Sequence, residues 1–248
     1  MTRAFYIFRQ TVYSIMGLCY FLWLALDMTV RGFVLITLGG ATNAHKLRYH
    51  RILQRKARFA INHVPGTTFK YMNPTNETFE RPAVIICNHQ SHIDLMGIMM
   101  LTPKLIILTK EWVWKNPFYG LVIRYADYFP ISDTKQMTDK IERMVEKGYS
   151  VVIFPEGTRS EDCRIHRFHR GAFYMAEQLQ MDIIPVFIDG FGKVLPKKAK
   201  HLIPGDMSLE VMPRIKRSDL TAAGDYRAVT KSMHDRYVRK HEEMCDNR

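Results

Sequence analysis

The sequence predicts an α/β fold: a mixed sheet flanked by helices, preceded by an N-terminal membrane-associated helical segment. Three observations carry this. After residue 82, short apolar runs alternate with stretches of helical periodicity, the pattern of strands separated by crossover helices. Before it, residues 12–26 form a run without charge, followed by a basic amphipathic stretch. Between them lies "NHVPGTTFKYMNPTNETFERP" (62–82), rich in Pro, Asn, Thr and Gly, which reads as a linker or irregular hairpin. The expected division is 1–60, membrane-associating helices, and 61–248, the α/β domain.

Taken in order, "VYSIMGLCYFLWLAL" (12–26) is short of the roughly 20 apolar residues that a spanning helix needs. Extending it to Leu38 supplies the length but includes Asp27 and Arg31, whose i,i+4 spacing lets them pair. The only small-residue cleavage candidate, Gly39-Gly40-Ala41, lies late, so the run is read as retained. The expected form is an aromatic-rich helix pair dipping into one leaflet, with the basic helix that follows at the headgroups. A core helix of a soluble domain is the competing form.

In the second part "AVIICN" (83–88) reads as a strand and "SHIDLMGIMML" (91–101) as a helix. "KLIILT" (104–109) is a strand, "EWVWKNPFYGLVIRYA" (111–126) a helix and "DYFPI" (127–131) a short strand. "TKQMTDKIERMVEKG" (134–148) is an amphipathic helix ending at Gly148. "SVVIF" (150–154), "GAFYMAEQLQ" (171–180) and "DIIPVFI" (182–188) read as strand, helix and strand. "SLEVMPRI" (208–215) is a late strand and 225–244 a terminal helix. In such sheets ligands gather beyond the carboxyl ends of strands.

The net charge of +12 implies an anionic partner: nucleic acid, an anionic membrane surface or phosphorylated substrates. The cations are concentrated in 45–58, where Lys46, Arg48, Arg51, Arg55, Lys56 and Arg58 stand without an acid, and again in 193–217. No nucleic-acid-binding motif accompanies them, so nucleic acid is set aside as a partner. Cys19, Cys87, Cys163 and Cys245 are widely spaced with no CxxC pattern, which argues against a zinc ribbon or disulfide framework and fits a reducing compartment.

Two stretches concentrate chemistry. In "NHQSHID" (88–94), His89 and Asp94 would sit about 140° apart on one continuous helix, so they meet only if His89 lies in the strand-to-helix turn. Ser91 followed three residues on by Asp94 resembles a capping box, which gives Asp94 a structural task. Alternatively His89 is a general base whose tautomer Asp94 fixes. A metal reading of His89, His92 and Asp94 lacks further ligands at a recognised spacing, and no metal or cofactor is expected. In "VVIFPEGTRSEDCRIHRFHRGAF" (151–173), a strand runs into Pro155-Glu156-Gly157-Thr158-Arg159. There Gly157 allows positive φ, and Arg159 suits bidentate capture of a phosphate or is simply a solvated turn residue.

Together, N-H-x4-D, then F-P-E-G-T-R-S, then "IIPVFIDG" resemble the glycerolipid acyltransferase family over roughly residues 80–195, with the 1-acylglycerol-3-phosphate acyltransferases most similar. The resemblance implies His89 as base with Asp94 as its partner. It implies Glu156, Gly157, Thr158 and Arg159 at the acceptor's phosphate, with Pro185 in the fourth block. "FHRGAF" is similar to a stretch reading F-K-x-G-A, with Arg170 in place of or beside the lysine and Gly171 kept. The second block departs from the pattern: the expected arginine is missing from 126–133, where Ser132 or a neighbour stands. Arg124, Lys135 or Lys110 would have to substitute.

The implied reaction moves a fatty acyl group from acyl-CoA or acyl-carrier protein to the free hydroxyl of a lysophospholipid, giving phosphatidic acid if the acceptor is 1-acylglycerol-3-phosphate. Another lyso-lipid, such as a lyso-aminolipid, and a non-catalytic membrane-lipid-binding module are the alternatives. Backbone N–H groups near residue 91 or at Gly157 are the candidate oxyanion donors. The expected partners are the phospholipid surface, the lyso-lipid and the thioester. The expected location is the cytoplasmic face of the inner membrane, which the basic 45–58 segment favours.

Overall fold

The Val/Ile-rich runs become strands covered on both sides, which is why they are apolar throughout rather than alternating. The computed structural model describes residues 3–130, 135–199, 201–222 and 226–246. In chain order, α1 (Arg3–Gly32) continues into a π-helical turn (Phe33–Leu38), and α2 (Asn43–Asn62) precedes β1 (Thr67–Met72) and β2 (Ala83–Cys87). Next come α3 (Asp94–Met99), β3 (Leu105–Thr109), α4 (Glu111–Trp114), α5 (Gly120–Tyr125) and β4 (Phe129–Pro130). Then follow α6 (Lys135–Glu146), β5 (Ser150–Ile153), α7 (Gly171–Gln178), β6 (Asp182–Asp189) and α8 (Phe191–Val194). The chain finishes with β7 (Gly205–Val211), α9 (Arg217–Ala222) and α10 (Tyr226–Asp246). Parallel pairs (β1–β7, β2–β6, β3–β4) and an antiparallel pair (β6–β7) make this a mixed α/β architecture, as expected.

The chain forms two units, one from residues up to Pro65 with Met96–Val151, the other from Gly66–Leu95 with the residues from Val152 onward. In the first, α1 is one continuous helix where the sequence suggested a helix pair. Among the described residues before Gly40 none takes a positive φ, so no left-handed residue turns the chain there; Gly32 itself is helical at φ −63°. Asp27 and Arg31 pair at 2.8 Å as the spacing allowed, and Lys56 joins Asp27 at 3.1 Å. The stretch Phe5–Leu38 is long and apolar enough to cross a bilayer by length and composition, and Ile15, Leu18, Leu22, Trp23 and Leu26 are exposed. α2 is capped by Thr42, whose hydroxyl accepts the His45 N–H at 3.1 Å, and buries Tyr49, Leu53, Ala57 and Ile61 along one stripe.

Residues 111–126, read as one helix, are two. Asn116 precedes Pro117 and its side chain accepts the Phe118 N–H at 2.9 Å, an Asx turn that ends α4 and restarts the chain as α5. Ser132 lies outside the described residues.

In the second unit the strand order is β1-β7-β6-β2. β1 falls in the segment read as linker. Its exposed, irregular pattern carries no apolar alternation, and it is a strand because β7 pairs with it along its whole length. β6 is central and yet contains Pro185. Its ladder with β7 covers 186–189, and the Pro185 carbonyl still accepts the Met212 N–H at 2.9 Å. Pairing continues at Ile183 with Ile215 one residue out of register, so the missing proline N–H falls where the partner carries an extra residue. Tyr237 of α10, fully buried, places its hydroxyl between the carbonyls of Ile86 (2.9 Å) and Val186 (3.0 Å), pinning that helix to the β2–β6 pair.

Candidate active site

The end of β2 is shaped by side chains that imitate backbone. Asn88 is fully buried: its amide donates to the Ile188 carbonyl and its oxygen accepts the Ile188 N–H, both at 2.9 Å. The side chain thereby carries the β2–β6 ladder one step past Cys87 and lets the main chain turn away. His89 follows in that turn, and Asp94 opens α3. One oxygen of Asp94, Oδ2, accepts from His89 Nδ1 (2.8 Å), Gln90 N (2.7 Å) and Ser91 N (2.8 Å). The two residues therefore meet through the turn, as their spacing required. Burial drives the Asp94 carboxyl above its ordinary range, and the hydrogen bonds from His89 and the two amides oppose that rise. Its other oxygen, Oδ1, is buried without a partner.

The helix starts at Asp94 rather than at Ser91. Half of the capping box is present, the carboxylate on the Ser91 N–H, but the serine hydroxyl donates instead to the Leu195 carbonyl at 2.7 Å. Gln90, fully buried, accepts the Gly192 N–H (3.3 Å) and donates to the Cys163 carbonyl (3.2 Å). Gly192 is required there, since a Cβ would stand 2.6 Å from Cys163 Sγ.

His89 stacks on Phe154, ring centroids 4.1 Å apart at 26°, so the end of β5 forms one wall of the imidazole. Two residues on, Glu156 is buried and spends both oxygens on main chain. Oε1 accepts the His89 N–H at 2.9 Å and Oε2 the His166 N–H at 3.2 Å. Burial pushes its carboxyl up to about 7, opposed by those two bonds and assisted by the charges of Asp94 and Asp162. The His89 carbonyl in turn accepts the Ser160 N–H at 2.7 Å. The two motifs are thus laced together through both main-chain groups of His89.

The rest of the second motif lies in the following loop. Gly157 holds φ +67°, the left-handed region its sequence position suggested, and its N–H donates to Phe154 O at 3.0 Å. Thr158 is exposed and accepts Lys197 Nζ at 3.4 Å. Arg159 is partly buried, with Nη1 enclosed and unpartnered. Burial first, and then the nearby charges of Arg159 and His89, bring His92 down to about 4. Arg170 and Gly171 start α7 and are exposed, and among the described residues no hydrogen bond or ion pair joins them to the His89 cluster. A Cβ on Gly171 would touch nothing.

The amides proposed for an oxyanion are already committed: those of Gln90 and Ser91 to Asp94, that of Gly157 to Phe154. Phe154 and Gln90 escaped the sequence reading, although a polar residue between His89 and Ser91 at the end of an apolar strand was the available signal. Among the described residues no group of three His, Cys, Asp or Glu side chains is gathered as a metal ion would need.

The chain is similar to known proteins in both fold and sequence. The crystal structure of the 1-acyl-sn-glycerophosphate acyltransferase PlsC from Thermotoga maritima has the same fold, with a TM-score of 0.73 at 17% identity, covering 97% of this chain and 98% of that one. Residues 68–189 match the family model described as Acyltransferase, and this segment belongs to that family. Human 1-acyl-sn-glycerol-3-phosphate acyltransferase beta is 34% identical over 177 residues, 68% of this chain and 63% of the human protein. The chloroplastic enzyme LPAT1 of Arabidopsis thaliana is 31% identical over 135 residues, 52% of this chain and 37% of its own length. The chain thus spans less than two thirds of these relatives.

Proposed function

We infer that the chain transfers an acyl group from a thioester to the hydroxyl of a lysophospholipid at a membrane surface, with 1-acylglycerol-3-phosphate as acceptor and phosphatidic acid as product. The observation that carries this is the His89–Asp94 pair. With Nδ1 donating to a buried carboxylate, the lone pair is on Nε2, the nitrogen left for substrate. Nε2 takes the acceptor's hydroxyl proton as that oxygen attacks the thioester carbon. The tetrahedral intermediate collapses with cleavage of the C–S bond, and the imidazolium returns the proton to the leaving thiolate. Asp94 stabilises the imidazolium in between. Nothing in this sequence requires an acyl-enzyme: Ser91 is bonded to Leu195 O and Cys87 is buried in β2, its thiol pushed well up by burial.

The acceptor's phosphate is assigned to Arg159, whose enclosed Nη1 is a donor in want of an acceptor, with Lys197 and Thr158 beside it. Glu156 is assigned to positioning rather than to substrate, because both its oxygens are engaged. The names of the relatives support the choice of acceptor. The membrane surface is proposed from the exposed apolar α1 and the cytoplasmic face from the basic α2.

The test offers purified protein acyl-CoA or acyl-carrier protein with a panel of lyso-lipids, with and without phosphate. His89→Ala is expected to lower turnover by at least about 100-fold while vesicle binding survives. Turnover near the parent rate would remove the base assignment, and activity confined to phosphate-free acceptors would remove the phosphatidate reading.

A further inference from the structure

A cavity of about 310 Å³ lies between α1 and α2, lined by Arg31, Arg48, Ile52, Arg55 and Lys56. The motif-bearing loops contribute nothing to it. Four cations face one space. Asp27 offsets one of them, its Oδ2 shared between Arg31 (2.8 Å) and Lys56 (3.1 Å), and Lys56 is further held over the Trp23 ring at 4.2 Å. Among the described residues no carboxylate pairs with Arg48 or Arg55. Repulsion between such groups is tolerated at a surface, but lining a concavity with them is a cost that an anion would relieve.

The spacing explains the convergence. Arg48, Ile52, Arg55 and Lys56 recur at i, i+4, i+7 and i+8, one face of α2, while Tyr49, Leu53 and Ala57 fill the neighbouring buried stripe. The surroundings indicate where the anion comes from. Trp23 and Val30 of α1 and Val34 of the π-helical turn are exposed near Asp27 and Arg31 in sequence, and Phe59 is exposed one turn beyond Arg55. A cationic hollow bordered by exposed aromatic and aliphatic side chains matches a molecule with a charged head and apolar tails. Arginine forks suit its phosphate oxygens. The volume, about ten waters' worth, admits a phosphate with its ester neighbours.

We propose that the groove between α1 and α2 is a discrete site for the phosphate headgroup of an anionic glycerophospholipid. Arg48 and Arg55 are its principal ligands, and Arg31 and Lys56 are held in place by Asp27. It differs from diffuse attraction of a basic helix to a charged surface, and it does not rest on the acyl-transfer reading.

The experiment measures binding of the full chain to phosphatidylcholine vesicles with and without phosphatidylglycerol, for the parent, R48Q, R55Q and R51Q. Arg51 is exposed on the same helix but does not line the cavity, so R51Q removes the same charge. Diffuse attraction costs about fivefold per charge lost. The site predicts that R48Q and R55Q each lose roughly tenfold more than R51Q, and that R55K, which keeps the charge but not the fork, also falls below R51Q. Unchanged melting of each variant shows that the fold survives. Equal losses in all three glutamine variants would overturn the proposal. So would binding of inorganic phosphate that R48Q and R55Q abolish while vesicle binding stays at the R51Q level, since the ligand would then be a soluble anion.

Discussion

Replacing Asn88 by alanine removes a fully buried amide that satisfies two backbone groups at once. The Ile188 N–H and C=O face inward in β6, where water cannot reach them once the side chain is gone. Leaving a buried polar group unpaired costs about 1–3 kcal/mol, so the pair amounts to roughly 2–6 kcal/mol. For a chain of this length that is a fall in melting temperature of about 10 °C. Asparagine to aspartate is expected to cost more than alanine, because an oxygen then opposes the Ile188 carbonyl and a charge is buried. Turnover is expected to fall with stability, since His89 leaves the sheet from this residue. Thermal and urea melts of the parent, N88A and N88D provide the measurement. An N88A protein within about 1 kcal/mol of the parent would mean that the ladder does not depend on this side chain.

Three further outcomes follow from the site. In Asp94→Asn the amide oxygen can still collect the three N–H donors, but the imidazolium loses its countercharge; kcat is expected to drop roughly 10- to 150-fold, and an unchanged kcat would sink the role of Asp94. Glu156 rises from 4.5 to about 7, so the stability it contributes is full below pH 4.5 and is lost as pH climbs to about 7. At 1.36 kcal/mol per pH unit, roughly 3 kcal/mol of that dependence should be missing from E156Q, and parallel pH–stability curves would contradict it. For Arg159→Ala, kcat/KM on a phosphate-bearing acceptor is expected to fall by about tenfold or more with little change on a phosphate-free one, and equal losses on both would detach Arg159 from the phosphate.

Much of this was legible in the sequence because it is local. The apolar runs that became β2, β3, β5 and β6 announce themselves, since a strand covered on both faces has no choice of residue type. The His89–Asp94 pairing was legible from helix geometry, because five residues cannot align them unless a turn intervenes. What was hidden depends on partners far along the chain. β1 holds the strand formers Thr67, Thr68, Phe69 and Tyr71 but sits among turn residues with no buried run, and its pairing is with the distant β7. Ser91 looked like a cap from its spacing to Asp94, whereas its hydroxyl donates to the distant Leu195 carbonyl and accepts the Ile93 N–H only at 3.5 Å. The resemblance put Glu156 at the acceptor's phosphate, and only the fold reveals two backbone amides converging on its carboxylate instead. The break at Asn116-Pro117 was legible and went unused.

The lacing of His89 to Glu156 and of Asn88 to Ile188 has a kinetic consequence. The first contact closes 67 residues and the second 100, so neither can form before the strands that bear them have found one another. On refolding from denaturant, helical signal should therefore return early from α2 and α10, while His89 stays unanchored until the β2–β6 pairing completes. Regain of turnover would follow that last, slow step and lag behind the helical signal, so the site has no existence apart from the finished sheet.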